Sequence, residues 1–294
     1  MDQQRAAAAA YDRSAEDVGN IVEFGHVNVA VPDQRLATLF YVTGLGLTRD
    51  PFLSTGADNM WVNVGASQFH LPTGRAQVLR GISGVVLPDI AALLARLARV
   101  RGQLAGTRFA FAERPDGAVD VMCPWGNRIR CHAPDARLGQ ITLGIAYVEM
   151  DAPPGTASRI ARFYREALHA PASVAGDCAR VPMGTGFTLV LRETDRAPPE
   201  YDGNHIQVGL ADFSGPHAWL LARGLVTEES DQHQYRFRDI VDVDSGHLLL
   251  TVEHEVRSMR HPMYARPLLN RNAAQTNRHY APGHEIWPAA MPVE

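Results

Sequence analysis

Apolar and polar residues alternate along this chain in a figure that recurs four times. Gly25-His26-Val27-Asn28-Val29-Ala30-Val31 has the two-residue period of a half-buried strand, then turns polar at Pro32-Asp33, where a helix start is predicted. The figure returns at Gly81 to Asp89, ahead of an Ala/Leu/Arg-rich helix over Ile90 to Val100. It returns again at Gly144 to Asp151, ahead of a helix from about Thr156 to Leu168, and at Asn204 to Asp212, ahead of one around His217 to Arg223. Four copies of one supersecondary unit are therefore expected.

Beyond the helix start, the copies alternate between two forms. The first and third copies carry an aromatic pair and a helix stop, Phe40-Tyr41 with Gly44-Leu45-Gly46-Leu47, echoed by Phe163-Tyr164 with Ala167-Leu168. The second and fourth carry a turn and strand, Pro124-Trp125-Gly126-Asn127-Arg128-Ile129-Arg130, echoed by Asp244-Ser245-Gly246-His247-Leu248-Leu249-Leu250. Hairpin strands are predicted at Met60 to Val64 with Gln68 to Leu71, and at Tyr235 to Val243 with His247 to Val252. The unit thus reads strand–helix–strand–strand, with a further strand in some copies. A Pro/Asp/Gly-containing linker, Ala133 to Gly139, divides the chain. After Val256 the pattern stops, and the remaining residues are expected to wrap over the domains or to be partly disordered.

Composition narrows the partners. With 294 residues, 46% hydrophobic and 20% charged, the chain is ordinary for a globular protein of one large or two small domains. A net charge of −4 without a basic run argues against nucleic acid. No stretch approaches the roughly 18 apolar residues of a membrane span, and Ala6 to Ala10 is too short for a signal sequence, so it reads as a frayed or helical lead-in. Three cysteines with no CxxC suggest neither a disulfide framework nor a thiolate zinc site, which fits a reducing cytoplasm.

Taken together, the strand-then-Asp figure, the Phe-Tyr helix, Gly-Leu-Gly-Leu and the Pro-x-Gly-Asn turn resemble the vicinal oxygen chelate (VOC) superfamily. That group includes glyoxalase I, fosfomycin-resistance enzymes, bleomycin-binding proteins and extradiol dioxygenases. The resemblance runs from about Val22 to Val256. It implies an α+β fold of tandem βαβββ-type units forming two half-barrel modules, residues 22–134 and 141–256, followed by an irregular C-terminal tail, 257–294. It speaks for the fold more than for the reaction, because one scaffold hosts several chemistries.

The resemblance also implies where a metal would be held, on the first strand and a later strand of each unit, with all ligands facing one cup. Unit 1 then offers His26 and, where a glyoxalase has glutamate, His70; unit 2 offers Ile82 and Arg130. Unit 3 offers Gly144 and an apolar residue of Phe187 to Leu191, and unit 4 offers His205 and Leu250. Pairing units 1 with 2 and 3 with 4 would scatter the histidines. Pairing 1 with 4 and 2 with 3 gathers His26, His70 and His205 in one cup, and is expected. Leu250 stands where glutamate is usual; a one-residue bulge would bring Glu253 into the cup as a fourth ligand, although strict alternation turns Glu253 away from the Leu250 side. Arg130 is expected to fill the other cup, paired to a carboxylate. His132, His233, His247, His254, His261 and His279 lack a ligand place and read as surface, supporting or tail residues.

Neutral imidazoles bind divalent ions and leave positions open for substrate; Fe(II) is favoured, with Mn, Ni, Cu or Zn as alternatives. A dioxygenase-like oxidoreductase acting on a small substrate with vicinal oxygens is the expected function. Glyoxalase-like isomerisation or lysis, which needs a carboxylate base on the metal, is the alternative, as is a non-catalytic drug-binding protein. The implied partner is a small molecule, without nucleic acid or membrane, and exchange of halves would allow a homodimer. The segment Pro262 to Tyr280, with Tyr264, Arg266, Asn270, Arg271, Asn272, Gln275 and Asn277, is expected to be ordered against the barrels and to cover or border the histidine cup as a lid, the alternative being a solvated tail.

Overall fold

The computed structural model describes residues 12–53, 56–139, 141–197 and 200–287. The alanine-rich lead-in and the last residues of the tail, 288–294, lie outside them. Unit 1 comprises β1 (Ile21–Asn28), α1 (Gln34–Ala37), which continues as a π-helix over Thr38–Gly44, β2 (Thr48–Arg49), β3 (Asn59–Val64) and β4 (Ser67–Pro72). Unit 2 comprises β5 (Gly81–Val86), α2 (Ile90–Val100), β6 (Ala110–Glu113), β7 (Val119–Met122) and β8 (Arg128–His132). Unit 3 comprises β9 (Gly144–Ala152), α3 (Ala157–Leu168), β10 (Ser173–Ala175), β11 (Cys178–Pro182) and β12 (Thr188–Glu193). Unit 4 comprises β13 (His205–Leu210), α4 (Ser214–Leu221), β14 (Val226–Asp231), β15 (Gln234–Val241) and β16 (Leu248–Ser258). The further strand is thus present in every copy.

Local chemistry sets these starts. The side chains of Asp33 and Asp89 accept from the N–H groups of Leu36 and Ala92, capping the helices at the recurrent strand-end aspartate. Asp212 does the same for Gly215 at 3.0 Å, so α4 begins three residues ahead of the expected His217. The aromatic pairs Phe40-Tyr41 and Phe163-Tyr164 are fully buried. Helices join the sheets: Arg96 on α2 donates to the carbonyls that end the unit 1 helix, and Phe163 on α3 meets Trp219 on α4 edge-on.

Two mixed sheets of eight strands result, in the orders β14-β15-β16-β13-β1-β4-β3-β2 and β10-β11-β12-β9-β5-β8-β7-β6. Units 1 and 4 share one sheet and units 2 and 3 the other, so both segments flanking the Ala133 to Gly139 linker contribute to both sheets. The seams are antiparallel, β1 against β13 and β5 against β9. Glycine is required at the second: a Cβ on Gly81 would lie 1.8 Å from the Glu149 carbonyl oxygen. In the first sheet one face is apolar and packs on the helices, with Val27, Phe69, Ile206, Val208, Val252 and Val256 all buried. The opposite face forms a polar cup.

After β16 the described residues of the tail form no helix or strand, only an isolated bridge between Arg271 and Ile286. The tail nonetheless packs against β1 and the β3–β4 hairpin. Ala265 N–H donates to Glu23, Asn63 donates to the Leu269 carbonyl, and Asn270 exchanges hydrogen bonds with both backbone groups of Gly65. No helix among the described residues is long and apolar enough to cross a membrane.

Candidate metal centre

The cup is built by register. His26 on β1 stands beside Gln68 on β4 and Gln207 on β13, while Asn28 stands beside His70 and His205. On the far side, His205 pairs with Glu253 and Gln207 with Glu255 on β16. Neighbouring strands in register direct their side chains to the same face. The seam therefore brings His26, His70 and His205 together although unit 4 lies far along the chain. The His26 ring centroid is 5.5 Å from that of His70 and 5.6 Å from that of His205.

Ligand atoms of His26, His205 and Glu255 all lie within 4.8 Å of one another, and the three residues are 1%, 6% and 4% exposed. Bonds of about 2.0–2.2 Å require donors within roughly 4.4 Å of each other, so this trio stands close to a binding geometry. His26 Nε2 and His205 Nε2 are buried with no hydrogen-bond partner among the described residues. Such orphaned imidazole nitrogens beside a carboxylate fit a divalent ion.

His70 lies outside that trio. Its Nε2 is 2.9 Å from Asn59 Oδ1, an arrangement that leaves Nδ1 with the lone pair. Trp61 stacks on it at 3.8 Å and meets His26 edge-on at 5.0 Å, holding both rings. Burial, with a smaller contribution from His205, pushes His70 down to about 3, and burial holds His26 well below the usual imidazole range. Both rings are therefore neutral near pH 7.

Glu253 is placed differently from Glu255. It accepts from the Tyr201 hydroxyl at 2.5 Å and pairs with Arg236 at 2.7 Å, and its Oε1 is 3.9 Å from His205 Nδ1. Glu255 is bridged by Arg236 at 2.6 Å and Arg257 at 2.7 Å, with His205 Nε2 at 3.5 Å. Burial works to raise the Glu255 carboxyl, but the imidazole and guanidinium neighbours outweigh it and hold the group below the usual carboxylate range. Sequence reasoning missed Glu255. The signal lay in Val252-Glu253-His254-Glu255-Val256, whose alternation sends both glutamates to one face. Leu250 is instead buried in the apolar core. A bulge does occur in this strand: Phe237 pairs with His254 but Asp239 with Thr251, so β16 carries one residue more than β15 across it.

His254 is also corrected: it is a core residue, stacked on Phe237 at 4.4 Å, its ring nitrogens facing the Tyr164 hydroxyl and the Val252 carbonyl. In the second sheet the positions in register with the ligand places hold Ile82, Arg130, Tyr147 and Val190. Tyr147, not Gly144, faces that cup, its ring lying against Gly84, and Arg130 is paired with Asp120 at 2.7 Å as expected. A cavity of about 520 Å³ lies apart from the histidines, between the start of β1, Met183 to Phe187 and tail residues Ala265 to Leu268.

No family profile matches this sequence, and no curated protein matches it. Solved structures do. A "putative dioxygenase" from Bacillus subtilis superposes with a TM-score of 0.53 at 16% identity, over 82% of this chain and 86% of that one. Glyoxalase I from Zea mays superposes with a TM-score of 0.52 at 13% identity, over 80% of this chain and 92% of that one. With two eight-stranded sheets made from four βαβββ units and paired 1–4 and 2–3, the chain has the fold of the vicinal oxygen chelate superfamily.

Proposed function

We propose that the protein is a metal-dependent oxidoreductase of the dioxygenase type, acting on a small molecule that presents two adjacent oxygens to one ion held by His26, His70, His205 and Glu255. The observation that carries this reading is the pair of buried, unpartnered Nε2 atoms of His26 and His205 beside Glu255. Leaving such groups unsatisfied is unfavourable, and a divalent ion satisfies both at once. When bound, the ion supplies Lewis acidity and open coordination positions. The chain supplies the rest: Trp61 and Asn59 fix the His70 ring, and Glu253 stands by Nδ1 of His205 to set its orientation. Iron(II) is favoured, since a shell dominated by neutral imidazoles suits it, with Mn, Ni, Cu and Zn as competitors for the same donors.

An isomerase reading draws less support. The carboxylate place on β4 is His70, and Glu255 stands between the guanidiniums of Arg236 and Arg257 at 2.6 and 2.7 Å, so neither position offers a carboxylate free of a cation to shuttle a proton. The test is metal analysis of untagged protein purified without added metal. One ion per chain, mostly iron, is expected, lost in His26→Ala and His205→Ala while the circular dichroism spectrum is retained. A folded wild-type chain that retains no metal and takes up none at micromolar Fe(II), Mn(II) or Zn(II) overturns the reading.

A further inference from the structure

We propose that the cavity between the two sheets is a second ligand site, lined by none of the histidines of the cup, and that it takes a hydrophobic cation, a small organic molecule with an apolar body and one ammonium group. At about 520 Å³ the cavity has the volume of a small-molecule pocket, and it lies where such pockets concentrate, at the junction of two packed units. The two sheets are pinned together along it. Gly184 N–H donates to the Ile21 carbonyl at 2.8 Å, and Phe24 of β1 stacks face to face on Phe187, just ahead of β12, at 3.6 Å. Leu143, Met183, Leu268 and Trp287 complete an apolar and aromatic wall. Such a lining recognises an apolar body, and aromatic faces also attract an ammonium.

Charge decides which polar head belongs there. The two ionic side chains in the wall are Glu23 and Arg266. The guanidinium of Arg266 is paired with the buried carboxylate of Asp50, so its charge is met within the protein. Glu23 has no such partner among the described residues: Arg257 acts on it only from a distance, being held by Glu255 at 2.7 Å and by Gln234 at 3.0 Å. Ala265 N–H donates to the Glu23 carboxylate at 3.2 Å, and Gln207 and Arg257 also favour its charged form, but burial outweighs all three and pushes the group up from the usual carboxylate value. A half-buried carboxylate without a counter-ion is the group that an ammonium neutralises. The neutral polar side chains beside it are already used, Ser67 by the Phe24 carbonyl and Asn270 by the backbone of Gly65. One carboxylate in an apolar wall is too little for a bare calcium or magnesium ion, which takes about six oxygen ligands. The cation must therefore bring an apolar body of its own.

The test is calorimetry on full-length protein at neutral pH with naphthylethylammonium and naphthylethanol, which differ only in the head group. Wild type should bind the ammonium at least about tenfold more tightly, the discrimination of a charge-assisted contact in a desolvated site. Glu23→Gln keeps the shape of the side chain and the acceptor for Ala265 N–H. It should remove the preference by weakening the ammonium about tenfold while the affinity for the alcohol stays. Leu268→Trp fills the cavity and should abolish binding of both compounds with the circular dichroism spectrum retained; Trp287→Ala, which thins the wall from the tail, should weaken both alike. Because the histidines take no part, His26→Ala should bind both compounds as wild type does. Binding of neither compound at millimolar concentration, no preference for the ammonium in wild type, or a preference that survives in Glu23→Gln overturns the proposal. So does undiminished binding in a folded Leu268→Trp, which would place the compounds elsewhere on the molecule.

Discussion

At the scale of single residues, the second sheet offers a group whose burial has a measurable signature. Cys131 on β8 is wholly buried, and burial pushes its thiol up to about 12. Folding thus favours the protonated form, so this contribution to stability is complete below the unfolded thiol's value near 9 and is lost as pH rises toward 12. Urea denaturation between pH 8 and 10.5 should show wild type losing up to about 1.4 kcal/mol per pH unit more than Cys131→Ala; parallel slopes would show that the thiol ionises without regard to folding. Residue identity was the legible part of the cup. His26, His70 and His205 were found because each sits at a repeated place in the strand figure. Glu255 was not, since the place was counted forward from the Asp244 to Leu250 turn, and pairing in that hairpin slips twice before reaching the cup. A slip of register is set by tertiary pairing and leaves little trace in local sequence.

Among the elements, the long periodic helices α2 and α3 matched their predicted spans because an apolar stripe marks the buried face of each. The shorter pieces were harder: β2 has two residues and β10 three, too few for alternation to register. The seams between units are where elements are most constrained. Gly81→Ala drives a methyl into the Glu149 carbonyl across the β5–β9 seam and should cost about 1–3 kcal/mol. Gly102→Ala, just after α2, meets nothing within 4 Å and has no positive φ, so it should be neutral or stabilise by about 0.4–1 kcal/mol. Thermal melts of the two variants test this; equal melting points would mean that the seam has slack that its backbone geometry denies.

For the whole molecule, the pairing of unit 1 with unit 4 and of unit 2 with unit 3 makes the two segments interdependent. Each loses a seam strand's partner if the other is missing, and an exposed seam is a sheet edge. Residues 1–139 and 140–294, expressed separately, should therefore be unfolded or self-associate through exchanged units, and on co-expression should co-purify as one complex with the native circular dichroism spectrum. Two stable monomers that ignore each other would contradict the topology. The unit count was legible in the fourfold strand figure, and the 1–4 pairing in His26, His70 and His205, which fall in units 1 and 4; the tail's individual contacts were not, since Asn270 and Arg266 are held by groups more than 200 positions earlier. Interleaving also has a consequence in time. His205 follows His26 by 179 residues, and at roughly 5–20 residues per second of synthesis the first histidine waits about 9–36 s for the second, and longer for Glu255 and the covering tail. A nascent chain consequently has no complete cup while its first half emerges, and any ion the cup takes is selected by the finished fold.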